Sequence, residues 1–277
     1  MRRNLALWLA KHGPSLRPPV ANKLLYAGDL KVMAVGGPNE RNDYHIQTGE
    51  EFFVQLRGQL VLKVIEGGAF RDVRVNAGEA FLLPSHLPHS PQREAGSIGL
   101  VFERSHTDDE MDGMMWFGKG VDRSHGRPAS LADVAYEEYF HCVDLGAQLK
   151  PIIERYEASK NPRRVKNPPI EPDPDARCVP PEPFDETLAE LQAHRLLHRG
   201  DEVICDAHVG PRTLEASASP FEVFAWQRRG TSTCRLEDGL VLDFQPDDVY
   251  LLPKGARYEW HLPDGDACLL TVSNVYT

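Results

Sequence analysis

The chain is 277 residues long, more than one domain usually holds, so it can build one large or two smaller hydrophobic cores without covalent staples. Its 31 Lys and Arg stand against 41 Asp and Glu, a formal charge of −10 that repels a phosphate backbone and argues against nucleic acid as a partner. Five cysteines (Cys142, Cys178, Cys205, Cys234 and Cys268) are scattered, odd in number and never paired as CxxC, which disfavours a disulfide framework or a Cys-based zinc site and favours a reducing compartment.

The N-terminus, Met1-Arg2-Arg3-Asn4 followed by Leu5 to Ala10, superficially imitates a secretory signal, but its apolar run is only six residues and no small-x-small cleavage site follows. It predicts a short amphipathic helix with Leu5, Trp8 and Leu9 on one face, ended by Gly13. No later apolar run approaches the roughly 20 residues that cross a bilayer, so a soluble, cytoplasmic protein without a membrane partner is expected.

From residue 51 the chain reads as β. Glu51 to Val64 predicts two strands joined through a turn at Gly58, rich in aromatic and β-branched residues. Ala80-Phe81-Leu82-Leu83-Pro84 is a further strand ending in a turn. Gly99, Val101 and Glu103 fall on alternate positions of another, facing the interior, with Gly99 leaving room for a ligand. The Met111, Met114, Met115, Trp116 and Phe117 cluster reads as packing or a lid contact, and the Gly118 to Ser130 stretch carries no functional signal. Eight prolines between Pro162 and Pro183 predict an extended interdomain linker. A helix is expected from Asp185 to Arg199; His194 and His198 on it have the i, i+4 spacing of a zinc pair, but without a third ligand nearby they suit the helix dipole instead.

The β pattern then returns. Phe221 to Gly230 repeats the strand-then-glycine pattern, and Val249-Tyr250-Leu251-Leu252-Pro253 echoes 80–84. One unit is therefore present twice: a first barrel over 1–160, a linker over 161–183 and a second barrel over 184–277. With Gly58 set on Gly230 and Pro84 on Pro253, His45 falls on Ser217, Glu51 on Val223 and His89 on Tyr258. The second copy keeps the turns but not these three polar residues, so its expected role is packing, as a partner subunit would supply in a dimer of single barrels.

His45, Glu51 and His89 are the candidate metal ligands. Two neutral imidazoles and one carboxylate on one face of a metal leave the opposite face open for substrate and dioxygen, the arrangement of non-haem Fe(II) oxygenases. His86 is a rival ligand, read as structural because it lies three residues from His89 in a turn. Glu50 alternates to the opposite face from Glu51. Arg41 and Arg93, four residues from His45 and His89, could hold a carboxylate through their planar guanidinium groups.

The spacing of these residues with Gly36, Gly58, Gly78 and Pro84 resembles the paired motifs of the cupin superfamily, with Asp43 and His86 as departures. Those departures, together with Pro-Pro-Val at 18–20, Asn22, Gly-Gly-Pro-Asn at 36–39, Asp43-Tyr44-His45, Phe81-Leu82-Leu83-Pro84, His89-Ser90-Pro91-Gln92-Arg93, Glu103-Arg104 and Phe140-His141-Cys142-Val143-Asp144-Leu145-Gly146, resemble the 3-hydroxyanthranilate 3,4-dioxygenase family. The resemblance implies a mostly β bicupin: two small β-barrels of the double-stranded β-helix or jelly-roll type with a few short helices, as in the monomeric two-barrel animal members. It implies Fe(2+) as cofactor and a small aromatic substrate opened with dioxygen to 2-amino-3-carboxymuconate semialdehyde, on the kynurenine route to quinolinate and NAD. It further implies that Arg93 grips the substrate, Arg41 lies near the dioxygen and carboxylate end, Glu103 takes a substrate proton, and Glu51 and Asn22 border the bound molecules. The competing expectations are a non-enzymatic bicupin that binds a small acidic ligand, or a cupin enzyme using another divalent metal such as Mn(II) or Zn(II).

Overall fold

A computed structural model describes residues 1–18 and 21–276; Pro19 and Val20 of the Pro-Pro-Val motif lie outside the described residues. By internal contacts the chain forms two units, one of Ser15–Leu24 with Met33–Glu182 and one of Met1–Pro14, Leu25–Val32 and Pro183–Thr277. The N-terminal residues thus group with the C-terminal unit, a division that differs from the expected 1–160 boundary.

In the first unit Glu79–Leu83, Glu51–Arg57 and Ile98–Arg104 are successive neighbours in one sheet. Val134–Phe140, Asp112–Phe117, Asp43–Ile46, His89–Arg93, Leu60–Glu66 and Ala69–Val75 follow one another in a second. The two remain separate sheets rather than one closed barrel, and their inner faces share a core of Phe53, Leu60, Leu62, Val75, Phe81, Leu83 and Val101, drawn from both. This is a jelly roll, mostly β as the alternation and turn residues predict.

The expected linker is not free. Ile170 and Cys178 are buried against the first unit, the Cys178 amide donates to Glu66, and Arg163 bridges to the Val134–Phe140 strand. A proline-rich segment lacks donors for a continuous ladder but can still satisfy side chains and isolated bridges. The expected helix over 185–199 is also shorter: it spans Phe184–Glu190, and Arg195–Arg199 is a strand paired with Val203–Val209. Ladder hydrogen bonds override the helical pattern there. His194 and His198 are therefore not helix neighbours; His194 Nε2 lies 3.0 Å from Asp206 Oδ1 and its ring stacks on His208.

The N-terminal helix runs Leu5–His12, with the Asn4 side chain accepting from the Leu7 amide; Leu5 is buried, while Leu7 on the opposite face is exposed. Among the described residues no helix is long and apolar enough to cross a membrane. Met114, Met115, Trp116 and Phe117 are core residues of a central strand rather than a lid.

The repeat is visible in register. Glu51 pairs with Leu83 in the first unit and Val223 with Leu252 in the second, and each first strand ends in a left-handed glycine, Gly58 at φ +67° and Gly230 at φ +60°. Tyr258 faces Ala216 across the ladder, one residue from the Ser217 that the turn-based superposition pairs with His45. The second core is filled by Phe244, Trp260, Leu252 and Leu262, leaving hydrocarbon where the first unit keeps polar groups. A Cβ on Gly230 would meet the Ala267 backbone at 2.8 Å. Gly230→Ala is expected to lower stability by about 1–3 kcal/mol; a denaturant midpoint unchanged in the variant would show that this turn relaxes.

Candidate metal centre and substrate cavity

Alternation along Asp43–Ile46 turns Tyr44 and Ile46 into an outer apolar cluster with Phe70 and Phe117, and sends Asp43 and His45 to the interior. His45 stands directly opposite His89 on the neighbouring antiparallel strand, while Glu51 opens a strand of the facing sheet. The donor atoms of His45, Glu51 and His89 all lie within 4.8 Å of one another, and all three residues are buried.

His89 Nε2 is 3.0 Å from Glu51 Oε1 and 3.3 Å from His45 Nδ1. Two donors about 2.1 Å from one cation at right angles lie about 3.0 Å apart, so these separations suit adjacent ligands of a single ion. The Glu51 contact is close without being aligned as a hydrogen bond: Oε1 is buried with no hydrogen-bond partner among the described residues. An uncompensated carboxylate oxygen away from water is costly, and a cation between the three donors relieves it. The donor set fits a divalent metal.

The electrostatics agree. Burial alone would raise the Glu51 carboxyl, but His89, His45 and Arg93 hold it below the usual range; burial would lower the His89 imidazole, but Glu51 holds it up. Both imidazoles are oriented from behind. His89 Nδ1 lies 3.0 Å from the Leu87 carbonyl, which fixes the proton there and leaves Nε2 free to ligate. His45 Nε2 lies 2.8 Å from Asp112 Oδ2, and Asp112 Oδ1 lies 2.7 Å from His106 Nε2. Burial would raise the Asp112 carboxyl, yet the two imidazoles hold it well below the carboxylate range. Sequence reasoning did not single out Asp112 or His106; the available signal was an aspartate set inside the apolar Met111–Phe117 run.

These donors form one wall of a cavity of about 740 Å³, within the size range of small-molecule sites. Asn22, Arg41, Arg93 and Glu103 all line it, as do the apolar side chains of Met33, Val35, Phe53, Val101, Leu149 and Ile153. Leu149 and Ile153 come from the helix Leu145–Ala158, whose first turn is capped by Asp144 of the Phe140–Gly146 motif. Glu103 sits directly across the ladder from Glu51, so two carboxylates share one inward face. Arg93 is buried with Nε lacking a hydrogen-bond partner among the described residues, and burial pulls its guanidinium down to about 10. Arg41 is engaged with Asp43 by a forked ion pair. At Gly99, the residue expected to open space, a Cβ would lie 2.8 Å from Gln55 Oε1, so that side chain closes on the position from the neighbouring strand. His86 stands apart from the cluster at φ +57°, its Nδ1 and carbonyl holding residues 171 and 173.

The fold and site together define a cupin-type jelly roll with a His–Glu–His cluster of metal-ligand geometry in its first unit. A cupin 2 conserved barrel domain protein from Leptotrichia buccalis superposes with a TM-score of 0.52 at 7% identity, covering 99% of this chain and 96% of that one. The sequence is more specific: the profile of the 3-hydroxyanthranilic acid dioxygenase family matches residues 1–157. The 3-hydroxyanthranilate 3,4-dioxygenases of Mus musculus and Homo sapiens are each 38% identical to it, over 95% of this chain and 92% of the mouse enzyme, and over 97% of this chain and 96% of the human one. The chain belongs to the 3-hydroxyanthranilic acid dioxygenase family.

The loop that carries His106 is pinned by a forked ion pair in which both guanidinium nitrogens of Arg104 lie 2.5 Å from Glu110, whose carboxylate also accepts from the Thr107 amide. Burial would raise Glu110, but Arg104 and Thr107 bring it down to about 2. The folded-state value lies below the unfolded one, so this contribution is present above about pH 4.3 and is lost as pH falls towards 2. Glu110→Gln should therefore lower Tm at neutral pH, with the gap from the parent closing between about pH 4 and 2; a constant gap in pH-resolved melting would contradict this.

Proposed function

We propose that this chain opens the aromatic ring of 3-hydroxyanthranilate with dioxygen, giving 2-amino-3-carboxymuconate semialdehyde, with a mononuclear Fe(II) held by His45, Glu51 and His89. The observation that carries the reading is the convergence of these donors in a cavity that also presents a buried Arg93 and Glu103. Iron bound there supplies the redox chemistry that lets dioxygen react with an electron-rich ring. Both oxygen atoms enter the product, so no external reductant is needed.

The remaining roles belong to the protein. Arg93 binds the substrate carboxylate through charge-assisted hydrogen bonds, a partner that its buried Nε lacks among the described residues. Glu103, beside Glu51 on the cavity wall, accepts the proton of the substrate hydroxyl, a general-base role. Arg41, steadied by Asp43, borders the dioxygen end with Asn22. Phe53, Val101, Leu149 and Ile153 form dry walls that exclude water from the reacting ring. The second unit, with Val223 at the position of Glu51, takes no part in the chemistry, and we read the chain as a cytoplasmic monomer.

Anaerobic reconstitution with Fe(II), then addition of 3-hydroxyanthranilate and air, should give oxygen uptake and an absorbing semialdehyde product; neither signal would appear if the reading is wrong. Arg93→Ala should raise KM by about 10- to 150-fold, the equivalent of losing about 1.5–3 kcal/mol of charged hydrogen bonding. Glu103→Gln should lower kcat by about 10²- to 10⁴-fold with iron content unchanged; loss of iron in step with activity would instead make Glu103 part of the metal site.

A further inference from the structure

We propose that Asp112 and His106 act as positioning residues behind His45, setting how tightly the site holds its metal; the inference rests on the metal reading above. His45 offers Nδ1 to the cluster, 3.3 Å from His89 Nε2, and turns Nε2 towards Asp112 Oδ2 at 2.8 Å. A carboxylate accepts and does not donate, so it fixes the proton of His45 on Nε2 and leaves the Nδ1 lone pair for a cation. The same contact stops the ring from rotating about its Cβ–Cγ bond and raises its basicity as a ligand.

Asp112 is suited to this role because its surroundings leave it little else to do. It is fully buried at the first position of its strand, and its other oxygen lies at ion-pair distance from His106, 2.7 Å from Nε2. Register supplies the alignment: Met114 pairs with His45 and Gly113 with Ile46 across the ladder, so the start of the Asp112–Phe117 strand runs alongside His45. At Gly113 a Cβ would meet Ile46 Cγ2 at 2.8 Å and the Tyr139 ring at 2.7 Å, which holds the strands at their present spacing. His106 comes from the loop pinned by the Arg104–Glu110 pair, so the relay is anchored at its outer end as well. A purely structural role for this triad would affect folding but not metal affinity.

The test is Co(II) affinity of the full chain, measured by chelator competition, with thermal melting of the metal-free protein alongside. Asp112→Asn should weaken Co(II) binding about 10- to 100-fold. His106→Leu, a loop substitution that keeps the inner contact, should give a smaller loss in the same direction, and His106→Gln, which keeps a polar group able to donate towards Asp112, should recover it. If Asp112→Asn does not fold, the Leu and Gln pair decides. Affinities within twofold of the parent in the folded variants, with or without a lowered Tm, would overturn the inference and leave a structural role. A parent chain that takes up no Co(II) would overturn the metal reading itself.

Discussion

The site depends on one cross-strand register. His45 and His89 can converge only because they are directly opposed on adjacent antiparallel strands, where side chains on the same face come within about 5 Å of each other. A slip of one residue would turn either imidazole to the outer face and replace it with Tyr44 or Ser90. The apolar outer face guards against that slip, since Tyr44 and Ile46 are locked among Ile65, Phe70, Met115 and Phe117. Hydrophobic packing on one side of a strand thus fixes the position of polar chemistry on the other.

The two units separate what the fold requires from what the chemistry requires. Both have the strand ending in a left-handed glycine, the same register to the following hairpin and a core shared between two sheets. The first carries the convergent His45, Glu51 and His89. Where it has Glu51 the second has Val223, and Phe244 and Trp260 fill the second core. The fold is therefore built in the second unit without the Glu51 carboxylate, and the buried ionisable groups of the first unit oppose its stability unless paired. Their persistence beside an orphaned Glu51 oxygen and an unpartnered Arg93 Nε marks them as groups arranged for ligands that complete them.

The architecture and the three convergent donors were legible in the sequence because both are written locally: alternation, glycine and proline turns, and polar residues at fixed distances from those turns. What was not legible depended on tertiary partners. Arg195–Arg199 has a helix-like pattern, but pairing with Val203–Val209 makes it a strand. The proline-rich segment looked like a linker because its burial comes from single residues, Ile170 and Cys178, rather than from a periodic face. The missing side chain of Gly99 suggests space for a ligand, yet Gln55 Oε1 from the neighbouring strand would lie 2.8 Å from a Cβ there. Asp112 was missed for a related reason: its role is defined by His45, 67 residues away, and by His106 across a turn.

Charge balance in the cavity links the metal to the substrate. The cavity is lined by Glu40, Asp43, Glu51, Glu103 and Glu157 against Arg41 and Arg93, an excess of formal negative charge apart from its histidines. Arg41 and Asp43 cancel locally, so part of the imbalance falls on the paired carboxylates Glu51 and Glu103, which repel across the ladder. A divalent cation at the His–Glu–His cluster would offset part of that excess. On the proposed reading, a monocarboxylate aromatic acid would then meet a less negative cavity, with Arg93 as the partner of its carboxylate. On that reading the cation makes room for the anion, and the same cavity without it would disfavour an acid.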